Sequence, residues 1–223
     1  MNLPTSSPIA VVAVVVLAYL IGGIPIGLLI VRVFTGRDIR SVGSGRTGGT
    51  NAMRAAGWVA GVLTGLSDVG KGFLAVSLPR LILSGPPGSV EIIAAVCGIA
   101  AVAGHNWPIY LRFRGGAGAT PNVGAAVALW PISLALIPIG AILLVATGYA
   151  SVTSTVVSFA IVIIFALRAI LAHQPISYVG YSVGTFILIA IALLPNYRRL
   201  IAGTERLVGP RAKLRQAKEE SKG

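Results

Sequence analysis

The residues best able to do chemistry in this chain fall in three short polar strings and a basic tail. The first string is Gly43-Ser44-Gly45-Arg46-Thr47-Gly48-Gly49-Thr50-Asn51-Ala52-Met53-Arg54. Glycines reach positive φ, and successive bare N–H groups can ring a phosphate oxygen. Gly43 and Gly45 supply such amides, and Ser44, Thr50 and Asn51 add neutral donors. Arg46 and Arg54 add guanidinium forks that match a phosphate edge, and Arg54 falls near the start of a helix, where the dipole also favours an anion. The string contains Gly-x-Gly-x-x-Gly, a weak nucleotide signal by itself. No βαβ unit surrounds it, which argues against a dinucleotide fold. A flexible loop with membrane-facing arginines is the plainer alternative.

The second string is Ser67-Asp68-x-x-Lys71-Gly72. Residues 65–71 imitate a phosphate-binding P-loop, but no Ser or Thr follows the lysine and the surroundings are an apolar helix, so that reading is rejected. Asp68 and Lys71 stand at i, i+3 and can pair on one face. Charges inside a membrane helix are costly and line polar cavities, so the pair is either structural or a substrate contact. The third string runs Gly104-His105-Asn106-Trp107-Pro108 and then Arg112-Phe113-Arg114-Gly115-Gly116-Ala117-Gly118-Ala119-Thr120. His105 follows an apolar helix and precedes a basic glycine-rich loop, which leaves packing and function both open. The other histidine, His173, sits beside Gln174 and Pro175 and reads as structural. The tail opens Asn196-Tyr197-Arg198-Arg199-Leu200, with Gly203 and Glu205 close behind, a basic segment suited to lipid headgroups.

Those strings need a scaffold, and composition says which. The 223 residues are 55% hydrophobic and 11% charged, with a mean hydropathy of +0.87. A soluble domain of this size would carry a more charged surface, whereas a membrane helix needs about 20 mostly apolar residues. The chain therefore reads as one all-α, polytopic transmembrane domain over 1–223, with 196–223 a basic cytoplasmic tail. Apolar runs fall near 8–31, 57–83, 90–111, 121–147, 151–170 and 176–194. The first reads as a retained helix rather than a cleaved signal. Gly23-x3-Gly27 and the series Gly57, Gly61, Gly65 have the spacing of close helix packing. Cys97 stands alone, so it makes no intrachain disulfide, and no metal site is expected.

The formal charge of +12 comes from 18 Lys+Arg against 6 Asp+Glu. It fits positive-inside loops, and also attraction for phosphorylated substrates or anionic lipid. Nucleic-acid binding is not expected, because no aromatic platform accompanies the scattered charges. Five arginines between 32 and 54 place that loop in the cytoplasm and the N-terminus outside. Eight Lys+Arg place the tail after Pro195 in the cytoplasm too. The crossing number must then be odd. Pro131 and Pro138 should break the 121–147 run into two short segments, for seven crossings, with five as the fallback.

Taken in order, these strings resemble the PlsY family of bacterial membrane glycerol-3-phosphate acyltransferases. The matching strings are Gly23-x-Pro25-x-Gly27, Gly43-Ser44-Gly45 with Thr50-Asn51-x-x-Arg54, Asp68-x-x-Lys71-Gly72, Gly104-His105-x-x-Pro108 with Gly115-Gly116-x-Gly118, and Asn196-x-x-Arg199 with Glu205. The resemblance implies transfer of a fatty acyl group from acyl-phosphate to the 1-position of glycerol 3-phosphate, giving lysophosphatidic acid and phosphate. It implies a bacterial inner-membrane location with the active site facing the cytoplasm, membrane lipids as surroundings, a phosphate acyltransferase as a source of donor, and no cofactor. By the same resemblance Ser44, His105 and Asn196 take catalytic roles. Gly43, Gly45, Arg46, Thr50, Asn51, Arg54, Lys71, Arg112, Arg114, Gly115, Gly116, Gly118 and Arg199 are expected to bind substrate, and Asp68 and Glu205 to hold structure. Three positions depart from the family's usual pattern. Arg46 stands where Asn is usual, Ala117 where Lys is usual, and Leu193 where His is usual. An inactive or substrate-shifted relative acting as a membrane partner, or a small-anion transporter, are the alternative readings.

Overall fold

The structure, a computed structural model, describes residues 3–209 and 211–212. Lys213, Arg215, Lys218 and Lys222, counted above toward the basic tail, lie outside the described residues. Helices α1 (Pro8–Gly23), α2 (Ile26–Thr35), α3 (Gly49–Ile82), α4 (Ser89–Asn106), α5 (Ala119–Leu129), α6 (Leu136–Thr147), α7 (Ala150–Leu171) and α8 (Ile176–Ile201) follow one another. A two-residue parallel ribbon, β1 (Leu3–Pro4) with β2 (Leu83–Ser84), joins the N-terminus to the end of α3. Among the described residues, five helical stretches are long and apolar enough to cross a membrane: Pro8–Thr35, Gly49–Ile82, Ser89–Leu111, Ala150–Leu171 and Ile176–Ile201.

The 121–147 run is broken where proline demands it. Trp130 is extended, and Pro131–Ala135 forms a 3-10 turn between α5 and α6. At 11 and 12 residues these two helices are each shorter than the ~20 needed to span alone. The full-length spans among the described residues therefore number five, the fallback figure, and the broken run adds no further one.

Two expectations need correction. The first span is not one helix, because Pro25 cannot donate into the ladder and α1 stops at Gly23. Gly23 and Gly27 therefore share no packing stripe. Gly27 instead lets the Thr47 carbonyl approach, since a methyl there would overlap it. In α3 the helical dihedrals fail at Ala56 (φ −141°, ψ 15°) and Gly57 (φ 86°, ψ 175°). A left-handed glycine turns the chain back, so the segment beginning at Gly49 lies along Gly61 and Gly65. Gly57 thus breaks the stripe it was expected to extend.

Without a hydrophobic drive between helices in lipid, close packing at small residues carries their association. Gly72 of α3 abuts the Pro121 carbonyl, and Gly124 of α5 abuts the Val69 carbonyl. A side chain at either would overlap backbone. Gly72→Val is expected to destabilise the protein by about 1–3 kcal/mol, as overpacked cores do, which a thermal unfolding curve in detergent would read as a lowered Tm. Near the ribbon, Arg80 and Glu91 pair at 2.6 Å and the Tyr178 hydroxyl donates to the same carboxylate, tying α3, α4 and α8. A core of Val76, Ile161, Phe165 and Tyr181 fills the space between α3, α7 and α8.

Candidate active site

The first polar string becomes a loop wound around one side chain. Asn51 is 2% exposed. Its Nδ2 faces the carbonyls of Ile39 (3.1 Å), Val42 (2.9 Å) and Arg46 (2.9 Å), and its Oδ1 accepts from the Ser44 N–H (3.1 Å). Gly43 (φ 54°) and Gly45 (φ 70°) supply the left-handed turns, and any Cβ on Gly43 would run into Asn51 Oδ1. Asn51, expected to bind substrate, spends its polar atoms on holding the loop.

The loop faces a polar cleft with about 650 Å³ of empty space, its open mouth included. Three helices begin there. Gly48, Gly49 and Thr50 come from the start of α3, Gly118, Ala119 and Thr120 from α5, and Ala150 and Ser151 from α7. None of the three has a side-chain cap. First-turn amides and the positive end of each dipole therefore converge on one space, the standard setting for an anion.

Three guanidiniums line the same cleft, those of Arg46, Arg54 and the exposed Arg206. Arg46 donates to the Gly116 carbonyl (3.1 Å), to Asn196 Oδ1 (3.0 Å) and to the Ala192 carbonyl. Arg54 donates to the Leu207 carbonyl at 3.4 Å. All these partners are neutral, and among the described residues neither arginine forms an ion pair. The carboxylate in reach, Glu205, is taken by Arg199 (2.9 Å) and by Asn196 Nδ2 (2.8 Å). Burial pushes the Arg46 guanidinium's pKa down, Arg199 adds repulsion, and Glu205 partly offsets both. An arginine keeps its proton regardless. The cleft thus holds three positive charges, and among the described residues none of the three forms an ion pair.

Ser44, Arg46, Thr50, Asn51, Arg54, His105, Gly118, Asn196 and Glu205 all line the cleft. Other expected binders do not. Arg112 and Arg114 are exposed on the loop after α4, and Arg112 and Phe113 both sit at positive φ there. The Gly115 and Gly116 amides bond to the Asn106 (3.1 Å) and His105 (2.9 Å) carbonyls, so they close that loop instead of facing a ligand. Arg199 is held by Glu205. Lys71 and Asp68 pair at 2.9 Å, buried behind His105. Sequence reading missed Ala119, Ala150, Ser151, Ser154 and Arg206 as lining residues. The signal for α7 was present: a hydroxyl-rich start, Ser151 to Thr155, directly after the Gly148-Tyr149 break. Ser151 Oγ is buried with no partner.

An apolar groove of about 1050 Å³ continues from the cleft between α3, α5, α6 and α7. Gly61, Gly65, Leu66, Val69, Val123, Ile137, Gly140 and Leu144 line it. Gly49, Thr50, Ala119, Thr120, Ala150 and Ser154 line both spaces, so a charged head and an apolar chain can occupy them as one molecule.

A family model described as glycerol-3-phosphate acyltransferase matches residues 12–203, and the whole cleft except Glu205 and Arg206 lies inside that match. The chain belongs to this acyltransferase family. A glycerol-3-phosphate acyltransferase from Rubrobacter xylanophilus is 40% identical over 90% of this chain and 96% of its own length. One from Thermus thermophilus is 36% identical over 92% and 99%. The crystal structure of PlsY, an integral membrane glycerol 3-phosphate acyltransferase, in its glycerol 3-phosphate form superposes with a TM-score of 0.77 at 28% identity, covering 92% of this chain and 98% of that one. Its lysophosphatidic acid form gives 0.75 at 26% over the same shares. Family membership and the apolar helices make this chain a multi-pass membrane acyltransferase.

Proposed function

We propose that the protein transfers a fatty acyl group from acyl-phosphate to the 1-hydroxyl of glycerol 3-phosphate, releasing lysophosphatidic acid and phosphate. The observation that carries this reading is the junction of the two spaces: uncapped helix starts and the guanidiniums of Arg46, Arg54 and Arg206 at the head of an apolar groove. Two phosphates, one on each substrate, suit this excess of positive charge. Acyl-phosphate is already activated, so the task is to hold two anions, aim a hydroxyl and stabilise charge on the acyl oxygen. Ser44 and nearby amides hold one phosphate, and Arg54 pairs with the other. The glycerol oxygen attacks the acyl carbon, the carbon–oxygen bond to phosphate breaks, and the hydroxyl proton leaves with the phosphate. No unengaged carboxylate among the described lining residues competes for that proton. The arginine-rich loop supports a cytoplasmic cleft in a bacterial inner membrane, with the N-terminus outside and one domain over 1–223.

The three departures fit together in space. Ala117 and Leu193 pack with Val102 and Ile189 in one apolar cluster beside the cleft. Arg46, reaching the carbonyls of Gly116 and Ala192, sits next to both. We infer that Arg46 supplies the charge a lysine at 117 would bring.

Purified Ser44→Ala and Arg54→Ala proteins test the assignment. Each is expected to lose most acyl-phosphate-dependent lysophosphatidate formation, on the order of 10²-fold or more. Both remaining active would reject it. The groove makes a separate prediction. A methyl on Gly65 meets open space, so Gly65→Phe should fill the groove without distorting the helix. Turnover of long acyl-phosphates is expected to fall about tenfold or more relative to short ones. An unchanged chain-length profile would place the acyl chain elsewhere.

A further inference from the structure

Behind the cleft lies a buried cluster that the mechanism above does not use. Asp68, Lys71 and His105 are 1%, 6% and 5% exposed. They come from α3 and from the end of α4. Lys71 Nζ has three neighbours at bonding distance: Asp68 Oδ1 (2.9 Å), the Ile24 carbonyl (2.9 Å) and His105 Nδ1 (3.3 Å). The break at Pro25 leaves the Ile24 carbonyl outside the helical ladder, where it accepts from the Ile26 N–H (2.9 Å) and has a second lone pair for Lys71.

An ammonium has three protons and no acceptor. Each proton here has one acceptor, and the third acceptor is His105 Nδ1. That nitrogen must then be bare, and the ring's single proton sits on Nε2. Asp68 Oδ1 lies 3.6 Å from Nδ1, too far to draw a proton onto it while Lys71 stands between them in energy. The Nε2 edge lies over Gly116, where a side chain would collide with it, on the wall of the cleft that His105 lines. Among the described residues Nε2 has no acceptor.

We propose that Lys71 is a positioning residue that fixes His105 as the neutral Nε2–H tautomer, so that His105 gives a hydrogen bond to an anionic substrate oxygen and is not a general base. Asp68 compensates the charge of Lys71 and holds it on Nδ1. The role in turnover rests on the acyltransferase reading; the tautomer does not.

Nitrogen-15 spectra of histidine-labelled protein test the two parts apart. His173→Gln leaves His105 as the single labelled ring. The expected spectrum has a protonated Nε2 and a bare Nδ1, and titration with glycerol 3-phosphate or with inorganic phosphate shifts Nε2–H while Nδ1 stays bare. Response to both assigns the contact to phosphate oxygen, and response to glycerol 3-phosphate alone assigns it to the ester. A proton on Nδ1, or no response of Nε2–H to either, overturns the proposal. Asp68→Asn/Lys71→Met, which removes both charges together, should release the lock and give a mixture of tautomers. In the acyl-transfer assay, His105→Gln keeps a donor at the ε position but cannot act as a base. It is expected to retain activity within about tenfold of wild type, with His105→Leu about 10²-fold down. Gln as inactive as Leu would contradict the donor role. If the wild type itself shows no acyl transfer, the spectrum still decides the tautomer.

Discussion

Arg46→Ala is expected to lower kcat/KM for glycerol 3-phosphate by about 10²–10³-fold, the usual loss when one preorganised donor leaves a charged site. Three neutral acceptors, from Gly116, Ala192 and Asn196, hold the guanidinium in place before substrate arrives. Its positive charge is therefore fixed and unspent, and removing it leaves Arg54 and the exposed Arg206 against two phosphates. Arg46→Lys should recover only part of the loss, because an ammonium cannot reach three divergent oxygens as a planar fork does. A sharper comparison uses the family's usual residues. The triple change Arg46→Asn, Ala117→Lys, Leu193→His moves the cation to the neighbouring position 117 and adds back an imidazole. It should be well above Arg46→Ala in kcat/KM, since the cleft regains its charge. Equal activity of wild type and Arg46→Ala would remove Arg46 from the site.

Asn51→Ala should carry the second large effect. One side chain ties Ile39, Val42, Ser44 and Arg46 to the start of α3. A buried group left without a partner costs about 1–3 kcal/mol, so orphaning the buried Ile39 carbonyl and loosening the three part-buried contacts would release the loop. Ser44 and Arg46 would then no longer be presented together. The expected result is a kcat/KM loss of about 10²-fold or more, a lowered Tm, and a helix content close to wild type. Asn51→Asp keeps the acceptor for the Ser44 amide, loses the donors to three carbonyls, and adds a negative charge beside Arg46. It should be no more active than the alanine variant. Normal turnover by Asn51→Ala would mean that the loop needs no internal scaffold.

Much of the fold was legible because the bilayer imposes strict lengths and strict silence on charge. Long apolar runs, arginine-bearing loops and the break at Pro131 followed from that. The chain reversals were harder. Pro25 and Gly57 lie in apolar surroundings, where hydropathy stays high across a break and only backbone chemistry marks it. Polar clusters pointed to the cleft, but residue type could not separate scaffolding from binding. Asn51 and Arg199 have the right chemistry for phosphate and spend it on the protein. Arg112 and Arg114 have the right charge and face away. Ser151 and Ser154 were hidden in a run read only as an apolar span, since three-dimensional convergence of α3, α5 and α7 brings them in.

The most direct measurement is acyl transfer by the purified wild-type protein in detergent or lipid, given labelled glycerol 3-phosphate and acyl-phosphate. The account predicts lysophosphatidate acylated at the 1-position, with one phosphate released for each product formed. No product, or product formed only from a thioester donor, would contradict it.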